Sequence, residues 1–206
     1  MKRYVLAIAL AAFVIAPLTT YAQQGWKIRA DRSADVKDPD APGDIKFMEM
    51  GDGLHAINPQ AAIYWNPANS AAGSYTLKGT FKLMKPSGHT NYYGLIFGGS
   101  NLDGPTQSYT YFLVAQDGTW LIKNRDGEAT PTVAPKTPNA VVAKPGADGT
   151  SVNALEVRVG AEKVDFVVNG TVVHSMPRSS VKTDGIAGLR VNHLLEVMIT
   201  GFGVSK

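Results

Sequence analysis

The acidic side chains are the first candidates for chemistry in this chain, because hydrolysis of a glycosidic bond needs two of them at a fixed separation. Retaining enzymes place the two carboxyl groups about 5 Å apart, and inverting enzymes place them farther apart. Glu162 and Asp165 are close in sequence, but they flank a predicted turn and a strand start, where solvated side chains are expected. Glu156 and Arg158 share one face of a predicted strand, which indicates a surface ion pair. The acidic residues therefore predict no catalytic centre.

Metal and cofactor chemistry is also predicted to be absent, because no set of ligands has metal-binding spacing. The histidines do not pair along the sequence; they are His55, His89, His174 and His193. Calcium is the one ion that suits an acid-rich loop, although EF-hand spacing is missing; the acids of that loop are Asp35, Asp38, Asp40 and Asp44. The chain has no cysteine, which excludes thiol catalysis, cysteine-ligated zinc and dithiol redox roles.

The aromatic and polar residues of one predicted hairpin offer a surface for a ligand. Two apolar-alternating runs flank Asp117-Gly118, a dipeptide that favours a two-residue type I′ turn. The register of that turn pairs Ala115 with Trp120, so their face is apolar and Trp120 belongs to the core. The opposite face is then polar, with Phe112 as its exposed ring.

Three further positions join this candidate surface. Tyr92 and Tyr93 are adjacent on a predicted strand, so one of them must point to the same side as Phe112. His193 lies in a predicted loop between two late strands, from which it would reach a ligand. The predicted ligand-binding residues are Tyr92, Tyr93, Phe112, Gln116, Lys123, Arg125 and His193.

The elements that must position these residues are short strands. Tyr75 to Leu83 alternates apolar and polar side chains, as expected of a strand with one buried face. Asn169-Gly170 predicts a second type I′ hairpin, which extends Leu155 to Val159 into a three-stranded meander. Many such runs, separated by Gly, Asn, Asp and Pro, predict an all-β fold of two antiparallel sheets packed as a sandwich. The proline-rich segment 127–150 is expected to drape over it, with 140–143 as an edge strand.

The N-terminus predicts export. Lys2 and Arg3 precede an uncharged apolar run that is too short to span a membrane, and Thr20 and Ala22 are small residues at cleavage-site positions. Residues 1–22 are therefore predicted to be a signal peptide, 23–206 a single domain, and the location periplasmic or secreted. Removing Lys2 and Arg3 lowers the formal charge from +3 to +3 − 2 = +1. With no block of basic residues, nucleic acid is not an expected partner, and no later segment predicts a transmembrane span.

Several segments resemble a known superfamily. The run Gly73-Ser-Tyr-Thr-Leu-Lys-Gly-Thr-Phe-Lys-Leu is similar to a strand of concanavalin A-like jelly rolls, and Asn91-Tyr-Tyr-Gly-Leu-Ile-Phe resembles the next one. Gly185-Ile-Ala-Gly-Leu-Arg and a last strand close the chain in the same way. From about Phe47 to Val204 the order resembles bacterial 3-keto-disaccharide hydrolase-like domains, relatives of family 16 glycoside hydrolases and laminin G-like modules. The Glu-x-Asp-x-x-Glu cluster of family 16 enzymes is absent.

This resemblance implies a concanavalin A-like jelly roll and leaves three functions open. The first is an exported carbohydrate-binding domain without its own catalytic centre. The second is a glycoside hydrolase of the 3-keto-disaccharide hydrolase type, which would need several convergent carboxylates or histidines in one cleft. The third is a laminin G-like protein-interaction module, which would present a flat apolar patch. The sequence does not fix the oligomeric state.

Overall fold

The computed structural model describes residues 25–33 and 36–206, and they form fourteen strands and one short 3₁₀ turn. The predicted signal peptide lies outside the described residues and stays a prediction. The strands in chain order are β1 (Lys27–Ala30), β2 (Lys46–Met50), β3 (Gly53–Asn58), β4 (Ala62–Ala71), β5 (Tyr75–Lys85), β6 (Tyr92–Ser100), β7 (Ser108–Ala115), β8 (Thr119–Asp126), β9 (Thr132–Pro138), β10 (Ser151–Val159), β11 (Lys163–Val168), β12 (Thr171–Pro177), β13 (Gly185–Val191) and β14 (Leu195–Ser205). No helix among the described residues has the length and apolar character needed to cross a membrane.

The strands build two antiparallel sheets, as the sequence predicted. Each sheet has seven strands. Sheet A has the order β1-β4-β13-β6-β7-β8-β9, and sheet B has the order β12-β11-β10-β5-β14-β3-β2. The sheets pack face to face around one apolar core. In β5 the predicted alternation holds: Tyr75, Leu77 and Phe81 are buried, whereas the lysines between them remain at the surface.

The second predicted hairpin is confirmed. Val168 pairs with Thr171, and the two residues between them, Asn169 and Gly170, have φ values of +50° and +81°. Two consecutive positive φ values define the type I′ turn, whose twist matches that of the flanking strands. The β10-β11-β12 meander follows from this turn and from the antiparallel pairing of β10 with β11.

The first predicted hairpin has a different register. The Gly118 N–H donates to the Ala115 carbonyl at 3.0 Å, and Gly118 has a φ of +84°. This is a three-residue loop with a glycine in the left-handed region, so Val114 lies opposite Trp120 and Phe112 lies opposite Ile122. A shift of one residue moves a whole set of side chains to the other face. The predicted pairing of Ala115 with Trp120 was wrong, although Trp120 is in the core as expected.

The proline-rich segment also differs from the prediction. Its edge strand is β9, which pairs with β8, and 140–143 contains no strand. Pro135 and Pro138 have no N–H to donate, which an edge strand tolerates because one of its sides has no partner strand. Beyond β9 the chain turns inwards, and Val142 is buried in the core. The segment is therefore part of the sandwich rather than a cover over it.

Candidate functional site

The outer face of sheet A, which points away from the main core, carries a second apolar cluster. Its buried members are Ile63, Trp65, Ile96, Leu102, Tyr109, Tyr111, Leu113 and Leu121. Strand pairing places charged residues directly beside two of its rings, because Tyr109 lies opposite Arg125 and Tyr111 lies opposite Lys123. Both rings are themselves buried beside these charged side chains.

Three arginines surround one carboxylate at this face. Asp31 receives Arg190 Nη2 at 2.7 Å and Arg125 Nη2 at 3.1 Å. The arginine side chains are only 11% and 9% exposed, so both ion pairs are largely withdrawn from water. With its amide oxygen turned towards the guanidinium groups, Gln107 accepts from Arg29 at 3.3 Å and from Arg125 at 3.1 Å. We refer to Arg29, Asp31, Tyr109, Tyr111, Arg125 and Arg190 as the arginine–tyrosine cluster.

The tyrosines of this cluster fix the position of Arg190. The Arg190 guanidinium carbon lies 5.4 Å from the centre of the Tyr111 ring, which is a cation–π contact. Arg190 Nη1 also donates to the Tyr109 hydroxyl at 3.1 Å, and Nε donates to Asn192 Oδ1 at 3.2 Å. With Asp31 on its remaining nitrogen, this guanidinium is oriented before any ligand arrives.

The charges of the cluster keep its single carboxylate ionised. Burial alone would raise the pKa of the Asp31 carboxyl, but its hydrogen bond to Arg190 and the positive charges of Arg190, Arg125 and Arg29 outweigh that effect. The pKa of Asp31 therefore lies below its ordinary value. Burial raises the pKa of the Tyr111 phenol, which stays neutral at physiological pH. The cluster thus carries a formal charge of 3 − 1 = +2.

Arg29 connects the cluster to a neighbouring pocket. Its guanidinium donates to the carbonyl groups of Leu102 and Gly104, which belong to the loop between β6 and β7. The same loop forms one wall of a pocket of about 420 Å³ that has Trp65 in its lining. The rim of this pocket is polar and includes Lys27 and Asp103, which form an exposed ion pair at 2.8 Å.

The structure divides the predicted ligand-binding residues into three groups. Tyr92, Lys123 and Arg125 lie on the outer face of sheet A, as expected. Phe112 and Tyr93 have no exposed surface and belong to the main core, where Phe112 packs against Phe166 with ring centres 5.2 Å apart. The expectation that Phe112 is an exposed platform was wrong, because the one-residue register shift places Tyr109 and Tyr111 on that face instead.

The third group is Gln116 and His193, which lie at one end of the sandwich and both contact His89. The Gln116 amide donates to the carbonyls of Ser87 and His89, at 2.8 and 3.0 Å, and so holds the loop between β5 and β6. His193 is buried, and its Nε2 lies 3.1 Å from His89 Nε2. Asp38 Oδ1 is 2.8 Å from His89 Nε2 and 3.1 Å from His193 Nε2. We refer to Asp38, His89 and His193 as the histidine cluster.

The acid-rich loop considered for calcium divides between two places in the structure. Asp38 and Asp40 both face His193, and Asp40 Oδ1 lies 3.0 Å from its Nδ1. Asp44 lines a different surface, and Asp35 lies outside the described residues. Sequence spacing missed this cluster because its histidines are 104 residues apart and meet only in the folded chain.

The sequence analysis predicted only Arg125 among the members of the arginine–tyrosine cluster. The signal that could have found Arg190 is an arginine in an otherwise uncharged strand, Gly185–Val191. Tyr109 and Tyr111 are two residues apart on β7 and so share a face, which the correct register would have identified. Arg29 and Asp31 had no such signal, because β1 is a four-residue strand followed by a loop.

Comparison with solved structures identifies the architecture. A carbohydrate-binding module, CBM66 from Bacillus subtilis, superimposes with a TM-score of 0.60 at 11% identity, over 88% of this chain and 96% of that one. The laminarinase catalytic domain from Thermotoga maritima MSB8 gives 0.52 at 12% identity, over 92% and 91%. The fold is a concanavalin A-like jelly roll. No protein-family model matches the chain, and no curated protein is similar to it in sequence. At these identities the jelly roll establishes the architecture, and the ligand must be argued from the site.

Two acidic residues of the outer face meet at Arg125. Asp31 and Glu128 both contact Arg125 Nη2, at 3.1 and 3.7 Å. A general acid must hold a proton near neutral pH, and the depressed pKa of Asp31 opposes that role. Glu128 is 87% exposed, so its carboxylate is surrounded by water.

Proposed function

We propose that this jelly roll binds carbohydrate on the outer face of sheet A, and that the arginine–tyrosine cluster contacts the sugar. One observation supports this most strongly: Arg190 is stacked on Tyr111 and fixed by Asp31 and Tyr109 on a face that bears net positive charge. A guanidinium has five N–H donors, and Arg190 donates three of them to Asp31, Tyr109 and Asn192. The proposal assigns the other two donors to the ligand.

The rigidity of these donors favours binding. Asp31 is shared by Arg125 and Arg190, so neither side chain has to be ordered when a ligand arrives. Ordering a long side chain at an interface costs about 0.5–1.5 kcal/mol, and a fixed guanidinium avoids this cost. The Trp65 pocket next to Arg29 extends the surface and provides space for a neighbouring sugar unit.

The charge of the cluster selects the class of glycan. Three arginines and one aspartate give the arginine–tyrosine cluster a charge of +2, and planar guanidinium groups bind carboxylates in bidentate geometry. We therefore propose glycans that contain uronic acids as ligands, in preference to neutral β-glucans. The proposed role is non-catalytic, and export to the periplasm or medium is part of the proposal.

Glycoside hydrolysis is the alternative function, and one contact favours it. Asp31 and Glu128 share Arg125, so their carboxyl groups lie near each other on the same face. Release of reducing ends by the purified protein, abolished in Glu128→Gln, would establish that alternative. The binding proposal predicts no release.

Calorimetric titration of the protein with oligogalacturonates tests the binding proposal. Arg190→Lys keeps the charge but loses the planar fork, and we expect about a tenfold loss of affinity, which corresponds to about 1.4 kcal/mol. The matched control is Arg158→Lys, which alters an arginine on sheet B that is paired with Glu156 at 2.8 Å. Equal affinities for both variants would exclude the arginine–tyrosine cluster as the binding site. A neutral β-glucan that binds as tightly as oligogalacturonate would contradict the proposed selectivity.

A further inference from the structure

The histidine cluster brings three ligand atoms to one point. His89 Nε2, His193 Nε2 and Asp38 Oδ1 are separated by 2.8 to 3.1 Å, and they come from three different loops. It is the one such group of three among residues 25–33 and 36–206. We propose that the histidine cluster binds a divalent first-row transition-metal ion.

Asp40 determines which nitrogen of His193 is available. Its Oδ1 lies 3.0 Å from His193 Nδ1, so Nδ1 carries the proton, and the neutral ring has its lone pair on Nε2. A carboxylate behind a histidine in this way is the usual partner that orients a metal ligand and makes it more basic. His193 is 6% exposed at its side chain, so the packing around it keeps Nε2 directed at His89 and Asp38.

The second histidine presents a lone pair to the same point. The Asn91 amide nitrogen lies 3.0 Å from His89 Nε2, and it donates to this nitrogen in the tautomer that carries the ring proton on Nδ1. With both rings neutral and protonated on Nδ1, two nitrogen lone pairs and a carboxylate oxygen face one another. A bound cation removes this repulsion, because it accepts all three lone pairs.

The spacing of the three atoms indicates the class of ion. Bonds of about 2.0–2.1 Å to atoms that are 2.8–3.1 Å apart subtend roughly 85–100° at the ion. Such angles correspond to one face of an octahedron, which leaves the opposite positions open. Asp38 and His89 are 44% and 43% exposed, so water reaches the cluster from their side. Imidazole nitrogens favour zinc, cobalt, nickel or iron over calcium, which prefers an all-oxygen shell.

The scaffold fixes the loops that carry these ligands. Gln116 anchors the His89 loop through two carbonyl groups, whereas His193 is followed by Leu194 with a φ of +60°. A leucine rarely adopts this left-handed conformation, so the surrounding structure must impose it. The Leu194 N–H donates to the Asn58 carbonyl at 2.6 Å, which ties this turn to β3.

Metal binding is tested with tag-free protein that has been treated with a chelator and then titrated calorimetrically with Zn²⁺. We expect one equivalent to bind and the thermal midpoint to rise, because the ion binds only the folded chain. Asp40→Asn should weaken the affinity about 10- to 100-fold, since Asp40 orients His193 without touching the ion. His89→Ala and Asp38→Asn should weaken it more, and both positions are exposed enough to change without loss of folding. Visible absorption of the Co²⁺ form reports the coordination geometry.

Two controls separate this proposal from the others. His174→Asn removes a histidine outside the cluster, and it should bind Zn²⁺ like the wild type. Arg190→Lys, which weakens the proposed glycan site, should also leave Zn²⁺ binding unchanged. The proposal is overturned if the wild type binds no Zn²⁺ or Co²⁺ at micromolar concentrations, or if His89→Ala and Asp38→Asn bind as tightly as His174→Asn.

Discussion

Asp31 pairs with two arginines of the outer face. It neutralises two arginines that are almost fully withdrawn from water, and removing one partner from a buried ion pair costs about 3–5 kcal/mol. Asp31→Asn should therefore lower the free energy of unfolding by about that amount at pH 7. The matched control is Asp103→Asn, because the exposed pair of Asp103 with Lys27 should contribute less than about 1 kcal/mol.

The pH dependence of this effect follows from the depressed pKa of Asp31. A carboxyl with a folded pKa below its unfolded value of about 3.9 stabilises the protein above that value. The contribution is lost as the pH falls through the folded pKa. Urea unfolding should show the difference between wild type and Asp31→Asn narrowing below about pH 4. A difference that stays constant down to about pH 2 would contradict the assigned ion pairs.

At the scale of elements, the two hairpins show what a turn dipeptide can predict. Both were predicted as two-residue type I′ turns, and Asn169-Gly170 forms one. Asp117-Gly118 instead ends a three-residue loop, since the glycine adopts the left-handed conformation one position later in the turn. The dipeptide predicts that a hairpin forms, whereas the number of loop residues decides which face each side chain joins. The third loop residue therefore places Tyr111, rather than Phe112, on the outer face of sheet A.

The type I′ turn provides a prediction for folding stability. Gly170 has a φ of +81°, and no atom lies within 4 Å of the position that a Cβ would take there, so any cost of substitution comes from the backbone alone. Gly170→Val should lower the free energy of unfolding by about 1–3 kcal/mol. Gly203 offers the control, because it has equal space but no positive φ, and Gly203→Val should cost less. Equal denaturation midpoints for the two variants would refute the turn assignment.

At the scale of the whole molecule, the fold was predictable and the sites were only partly so. Period-two alternation in segments such as β5 determines which side chains are buried, so the sandwich and most strands follow from local pattern. The sites depend instead on contacts between residues that are far apart in the sequence. Asp31 reaches Arg190 across most of the chain, and His89 meets His193 only because β6 and β13 are neighbours in sheet A. Arg125 and Lys123 were predicted because they lie within one hairpin.

The central claim is that the outer face of sheet A holds an acidic glycan. Titration of ¹⁵N-labelled protein with oligogalacturonate, followed by amide chemical shifts, locates the bound ligand directly. If the glycan binds there, the largest shifts fall on the outer-facing residues of β7, β8 and β13, including Tyr111, Arg125 and Arg190, and they diminish in Arg190→Lys. Shifts confined to sheet B or to the histidine cluster, or the absence of any shift, would contradict it.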